Sequence, residues 1–228
     1  MSERHSMEPT ERIKTAATGA MSAAKSQTVG GAEENPSPTV VDAQTVEALI
    51  ADWPRMAKSA ADEIIKKYGQ PNEAIPSRLI WYANGPWKRT VVYRHEIPHN
   101  FPQPHTDVVE QFIDYHVPPE KFSELAKFDG SVIVERTAGE VSARCDMEAA
   151  NFLALNMMHE IVTGKLTAEE ARKVYSENTS AYVMNRSAPY AEAFQFELPR
   201  EETADKDETT IAGAMVRQGV EKAKDIVG

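Results

Sequence analysis

The clearest hydrophobic pattern in the chain is the run VVEQFIDYHV, Val108 to Val117. Val109, Ile113, Tyr115 and Val117 fall on one side of an extended backbone, and Glu110, Phe112, Asp114 and His116 on the other. Alternation of this kind predicts a strand with one face on the core and the other open. RLIWYA (Arg78 to Ala83) and the segment Trp87 to Glu96 predict a hairpin about the turn Asn84-Gly85-Pro86. SVIVERT and EVSARC predict a second hairpin about Ala138-Gly139. Helical periods surround these strands. Thr45 to Tyr68 predicts one or two helices, interrupted at Trp53-Pro54 and stopped at Gly69. EKFSELAKF predicts a short helix between Pro118-Pro119 and Asp129-Gly130. Asp146 stands where it would cap MEAANFLALNMMHEIVTG, and Thr167 with Glu170 spells a capping box for AEEARKVYSE. Residues 70–77 read as a connector and residues 178–198 as an irregular aromatic wrap.

Strand runs mixed with helix runs, without regular βαβ alternation, predict an α+β fold. The expectation is a single domain with an antiparallel sheet of about five strands packed against helices, flanked by flexible tails. Every Trp, Tyr and Phe lies between residues 45 and 198, so the core domain is expected there. Residues 1–44 hold no aromatic residue and include QTVGGAEENPSPT, which predicts a disordered arm. Residues 199–228 begin with a charged linker, PREETADKDETT. They then place Ile211, Met215, Gly219, Ala223 and Val227 at four-residue intervals, which predicts a short amphipathic helix over 210–228. Gly19-Ala20-Met21 and Gly213-Ala214-Met215 repeat within the two ends. An isolated helix of this length gains stability against a partner surface. The layout resembles terminal docking peptides, including those that direct cargo into bacterial protein shells. Packing on the chain's own core, or on a second copy in a homo-oligomer, is the alternative.

Charge and composition narrow the classes. The formal net charge of −10 excludes a general nucleic-acid binder. No apolar run approaches the roughly 20 residues of a membrane helix, so no membrane partner is expected. The N-terminal residues lack a secretory h-region. The one cysteine, Cys145, excludes an internal disulfide and a four-thiolate zinc site, and fits a reducing cytoplasm.

Four groups of residues carry candidate chemistry. EIPHNFPQPHTD holds His99, His105 and Asp107, with His95, Glu96 and Glu110 beside them; these are imidazole and carboxylate donors suited to a divalent metal such as zinc or iron. No HxH or HExxH spacing is present, so a proline-stiffened connector stands as the alternative. Cys145 follows Arg144 ahead of a predicted helix start, which favours a thiolate nucleophile with His116 or His159 as base. Alternation instead puts it with Val141 and Ala143 in the core. Glu110, Asp114 and His116, with Arg94 and Arg144 on neighbouring strands, form a polar sheet face. It is either a ligand-binding or acid–base surface, with Asp114 and His116 as catalytic candidates, or a solvated face of ion pairs. Asn151, Asn156 and His159 read as the polar edge of a core helix. Walker, GxGxxG, GxSxG and CxxC motifs are absent.

NGPWKRTVVYR, HTDVVEQFIDYHVPPEKF and RCDMEAANFLALN together resemble a group of uncharacterised bacterial proteins. The resemblance implies a bacterial intracellular origin and transfers no site residue. The expected function is a soluble binding or adaptor module with terminal docking segments. The alternative is a metal-assisted enzyme using the His, Asp and Glu residues of the 95–116 region. Convergence separates them: ligands that share one metal bring their ring nitrogens within about 4–5 Å of each other.

Overall fold

The structure, a computed structural model, describes residues 7–29 and 39–210. Helix α1 (Pro9–Val29) belongs to a different compact unit from the core, which spans 37–206. The core runs α2 (Ala43–Ile50), α3 (Arg55–Tyr68), β1 (Glu73–Ile75), β2 (Arg78–Asn84), β3 (Trp87–His99) and β4 (His105–Asp114). A 3-10 turn and α4 (Phe122–Phe128) follow, then β5 (Val132–Glu135), β6 (Glu140–Cys145), α5 (Glu148–Val162), α6 (Ala168–Val183) and α7 (Pro189–Glu192). The strands form one antiparallel sheet in the order β1-β2-β3-β4-β6-β5.

The ladder sorts side chains into rows. Leu79, Val92, Val109 and Cys145 stand opposite one another, as do Trp81, Thr90, Gln111, Ala143 and Val132. These rows face the helices. Around α3 they join Val46, Ile50, Trp53, Ala57, Ala61 and Ile64 in one buried cluster; around α5 and α6 a second cluster gathers Phe128, Phe152, Leu155, Met157 and Tyr175. α3 buries Ala57, Ala60, Ala61 and Ile64, a single stripe. α5 is buried on nearly every side and is the central helix of the core. The opposite rows carry Ile80, Val91, Glu110 and Arg144, then Tyr82, Arg89, Phe112, Ser142 and Ile133.

Two carboxylates fasten helices to the sheet. Glu96 accepts from the free N–H groups of Met56 and Ala57 at 3.0 and 3.1 Å, capping α3 from a distant strand. Glu148, in the first turn of α5, accepts from Tyr68 Oη at 2.5 Å, Trp87 Nε1 at 2.6 Å and Gln111 Nε2 at 3.2 Å, and pairs with Lys67. Burial alone would raise this carboxyl; Lys67, Tyr68 and Trp87 together hold it below its ordinary value.

The α+β class and the antiparallel sheet stand as expected, with six strands because β1 forms within the 70–77 connector. The break at Trp53-Pro54, both hairpins and the Thr167–Glu170 capping box are present. Asp146 does not cap α5: the N-cap is Met147 and makes no side-chain cap bond, because Asp146 turns toward Cys145. α6 continues to Val183, into the stretch expected to be irregular. Within the arm expected to be disordered, Pro9–Val29 is helical: its alanines and long polar residues are good helix formers, and proline suits a first turn. The core also extends past residue 198, held by Thr203 Oγ1 donating to Gly139 O at 2.7 Å and by the Arg136–Asp205 pair at 2.9 Å. The amphipathic pattern of 211–228 and most of the glycine–proline linker lie outside the described residues. Among the described residues no helix is long and apolar enough to cross a membrane.

Glu148→Ala leaves the Trp87 and Gln111 donors without their acceptor. It is expected to lower stability by about 2–3 kcal/mol, read as a shift of the urea-unfolding midpoint; a shift within error would show that the carboxylate is dispensable.

Candidate metal centre

The β3–β4 ladder shifts register between Val92 and Ile97 and then resumes as Ile97↔Asp107, Pro98↔Thr106 and His99↔His105. Residues 100–104 close the hairpin. Directly opposed residues share a face of a sheet, and so do residues two apart on one strand. The register therefore gathers His99, His105 and Asp107 on one side of the hairpin end. One donor atom from each lies within 4.8 Å of the others.

His99 Nδ1 stands 3.4 Å from Asp107 Oδ2, and His105 Nε2 stands 3.1 Å from Asp107 Oδ1. Four donors bound tetrahedrally at about 2.0–2.1 Å would stand roughly 3.3 Å apart; each imidazole is near that distance from one Asp107 oxygen, and the three residues together lie within 4.8 Å. His105 Nδ1 lies 2.8 Å from the Gln103 carbonyl oxygen. A proton on Nδ1 donates there and leaves the Nε2 lone pair directed at the cluster, the orientation that an outer hydrogen bond imposes on a metal-bound imidazole. His99 Nδ1 and Asp107 Oδ1 are buried, facing Asp107 Oδ2 and His105 Nε2 respectively.

Two further groups adjoin the triad. Asp129, just after α4, is buried with Oδ1 3.9 Å from His99 Nε2 and accepts from the N–H and hydroxyl of Ser131. Cys145 Sγ lies 3.3 Å from His105 Nε2 and 3.5 Å from Asp146 Oδ1. Among the described residues neither Asp107 nor Asp129 has a lysine or arginine partner. Burial, then the charges of Asp146, Asp107 and Asp129, push the Cys145 thiol well above its ordinary value. Burial likewise pushes the Tyr175 phenol well up.

Space opens on both sides. An apolar cavity of about 50 Å³ runs past His105, Cys145, Met147, Leu153 and Tyr175. A depression of about 370 Å³ is lined by His99, Asp107, Glu110, Ser131, Ile133 and Arg144.

The other candidates scatter. Cys145 does not have the electrostatics of an activated nucleophile: Arg144 lies on the opposite sheet face, and the carboxylates about the thiol favour its protonated form. Its neighbouring imidazole is His105, not His116 or His159. His159 bonds Tyr115 Oη at 2.8 Å and stacks on Phe196, while His116 lies exposed past the end of β4. Arg94 pairs with Asp52 at 3.1 Å and Asp114 with Lys88 at 2.8 Å, both at the surface. Glu110 and Arg144 stand opposite each other in the ladder, yet Glu110 takes its bonds from Tyr93 Oη at 2.7 Å and Ser142 Oγ at 2.8 Å. The polar sheet face thus does not unite Arg94, Glu110, Asp114, His116 and Arg144 in one site. Asn151 and Asn156 bond backbone carbonyls in the core. Asp129, Asp146 and Tyr175 were not legible as site residues, since each reaches the cluster from a different helix end or helix face. The His105-x-Asp107 alternation was the available local signal. No protein-family profile, curated protein or solved structure matches this chain.

Burial opposes the His105 proton, but Asp107, the Gln103 carbonyl and Asp146 outweigh it and raise the imidazole to about 8. This contribution to stability is therefore fully present below the unfolded histidine value near 6.5 and is lost as pH rises through about 8. In metal-free protein the His105 ring resonances are expected to titrate near 8; a midpoint at the ordinary value would show that Asp107 does not engage it.

Proposed function

We propose that the chain binds a divalent transition-metal ion through His99, His105 and Asp107 and uses it in metal-assisted chemistry on a small molecule. The observation that carries the reading is the convergence of three donors within 4.8 Å, with His99 Nδ1 and Asp107 Oδ1 buried among them. Two imidazoles and one carboxylate suit zinc or non-haem iron. Three protein ligands leave a position for water or substrate, as in metal sites that act as Lewis acids or activate water. The Gln103 carbonyl orients His105, Asp129 places a carboxylate 3.9 Å from His99 Nε2, and Cys145 stands close enough to add a thiolate once a cation displaces its proton. A free thiol beside a metal favours a reducing compartment, so cytoplasmic residence belongs to this proposal.

Elemental analysis of untagged protein purified without chelator is the test. Near-stoichiometric zinc, iron or manganese is expected in the wild type, lost in His99→Ala and His105→Ala variants that keep the wild-type circular dichroism. Absence of metal from the wild type, with no uptake on adding zinc or ferrous iron, would overturn the reading and return the loop to the role of connector.

Protein docking and self-association through the terminal segment rest on the amphipathic spacing of residues 211–228. Removing those residues is expected to reduce the mass measured by light scattering while the core stays folded; an unchanged mass would discard the self-association.

A further inference from the structure

We infer that the ligand of this site is a small organic carboxylate, and that Arg144 holds its carboxylate group. The inference rests on the metal reading above and adds the chemical class of what the metal acts on.

Arg144 is a cation without an anion. Among the described residues no carboxylate lies within ion-pairing distance of it, whereas Arg89 pairs with Glu140 at 2.7 Å and Arg94 with Asp52 at 3.1 Å. Its neighbour across the ladder, Glu110, is held by Tyr93 and Ser142 instead. The guanidinium lies over the Tyr93 ring, 4.2 Å from its centre, which fixes its plane without satisfying its N–H groups. Nη2 reaches only the carbonyl oxygens of His95 and Asp107, each at 3.5 Å, and Nε is buried with no partner. Leaving a charged donor buried and unpaired is costly unless a ligand completes it.

Placement gives that donor a purpose. Arg144 lines the same depression as His99 and Asp107, so one small molecule in the depression reaches both the guanidinium and the metal ligands. Its about 370 Å³ falls at the small end of ligand pockets. A guanidinium presents a planar fork that matches carboxylate or phosphate. Glu110 and Asp107 line the same walls, and one arginine balances one negative charge. A monoanionic carboxylate therefore suits the site better than a phosphate dianion. The remaining apolar wall, Ile97, Pro98 and Ile133, fits a short carbon skeleton. The ligand this describes is a small acid with a second oxygen donor, its carboxylate on Arg144 and the other oxygen toward the metal.

Calorimetric titration of glycolate, lactate and inorganic phosphate into wild-type and Arg144→Ala protein, each with and without bound zinc, tests this. Arg144→Gln serves in the same comparison if the alanine variant does not fold. The expected result is binding of glycolate or lactate to zinc-loaded wild type, weakened at least about tenfold in the variant while zinc stoichiometry is unchanged. Equal carboxylate affinity in both proteins, or no carboxylate binding to zinc-loaded wild type, overturns the carboxylate site and leaves the metal reading standing. Phosphate binding more tightly than either acid overturns the assignment to carboxylates. Arg144-dependent carboxylate binding in a protein that takes up no zinc supports the anion site and overturns the metal reading alone.

Discussion

The antiparallel register of β3 against β4 is the constraint on which the rest of the structure depends. It is the central pairing of the sheet, and it positions both the core rows and the candidate site. Upstream of the shift at Val92 and Ile97, it aligns Val92 with Val109 and Thr90 with Gln111, so one face becomes apolar enough to receive α3 and α5. Downstream, it sets His99 opposite His105. Because side chains alternate with a period of two, a one-residue slip would turn His105 and Asp107 to the other face and would expose Val109 at the same time. The burial of the core therefore enforces the geometry of the site.

That frame is rigid where the two hydrophobic clusters meet. Glu148 belongs to α5 but takes its hydrogen bonds from α3, β3 and β4, and Glu96 on β3 closes the N-terminus of α3. A carboxylate placed in an apolar interior destabilises unless its oxygens are satisfied. Here the donors come from elements distant in sequence, so satisfaction and correct assembly coincide. The start of α5 is held in register with the sheet, and with it Cys145 and Asp146, which immediately precede the helix and border the metal cluster.

The fold was legible in the sequence where periodicity is local. The alternation of Val108–Val117, the Asn84-Gly85 turn and the Thr167–Glu170 box each report a physical demand satisfied within a few residues. The three-residue strand β1 was not legible, because its hydrogen bonds come wholly from pairing with β2. Asp146 read as a cap because its position suits one; the neighbouring thiol claimed it instead. For the site, His99, His105 and Asp107 were visible as donor types, but their convergence depends on a register shift that no local pattern announces. Asp129 and Tyr175 reach the cluster only through the packing of α4 against β5 and of α6 against α4 and α5.

The charge balance of the cluster favours the proposed cation. Asp107 and Asp129 are 5% and 4% exposed, without a lysine or arginine partner among the described residues, and Asp146 adds a third carboxylate beside the buried thiol. Several buried carboxylates close together repel one another and lose hydration. Protonated His105 relieves part of this by facing Asp107 Oδ1 with its Nε2–H, and leaves His99 Nδ1 without a hydrogen bond. A divalent cation among the same atoms would compensate the charge and engage His99 Nδ1 in one step. Arg144, facing the same depression from the open side of the sheet, stays outside that balance and keeps its charge for an incoming anion.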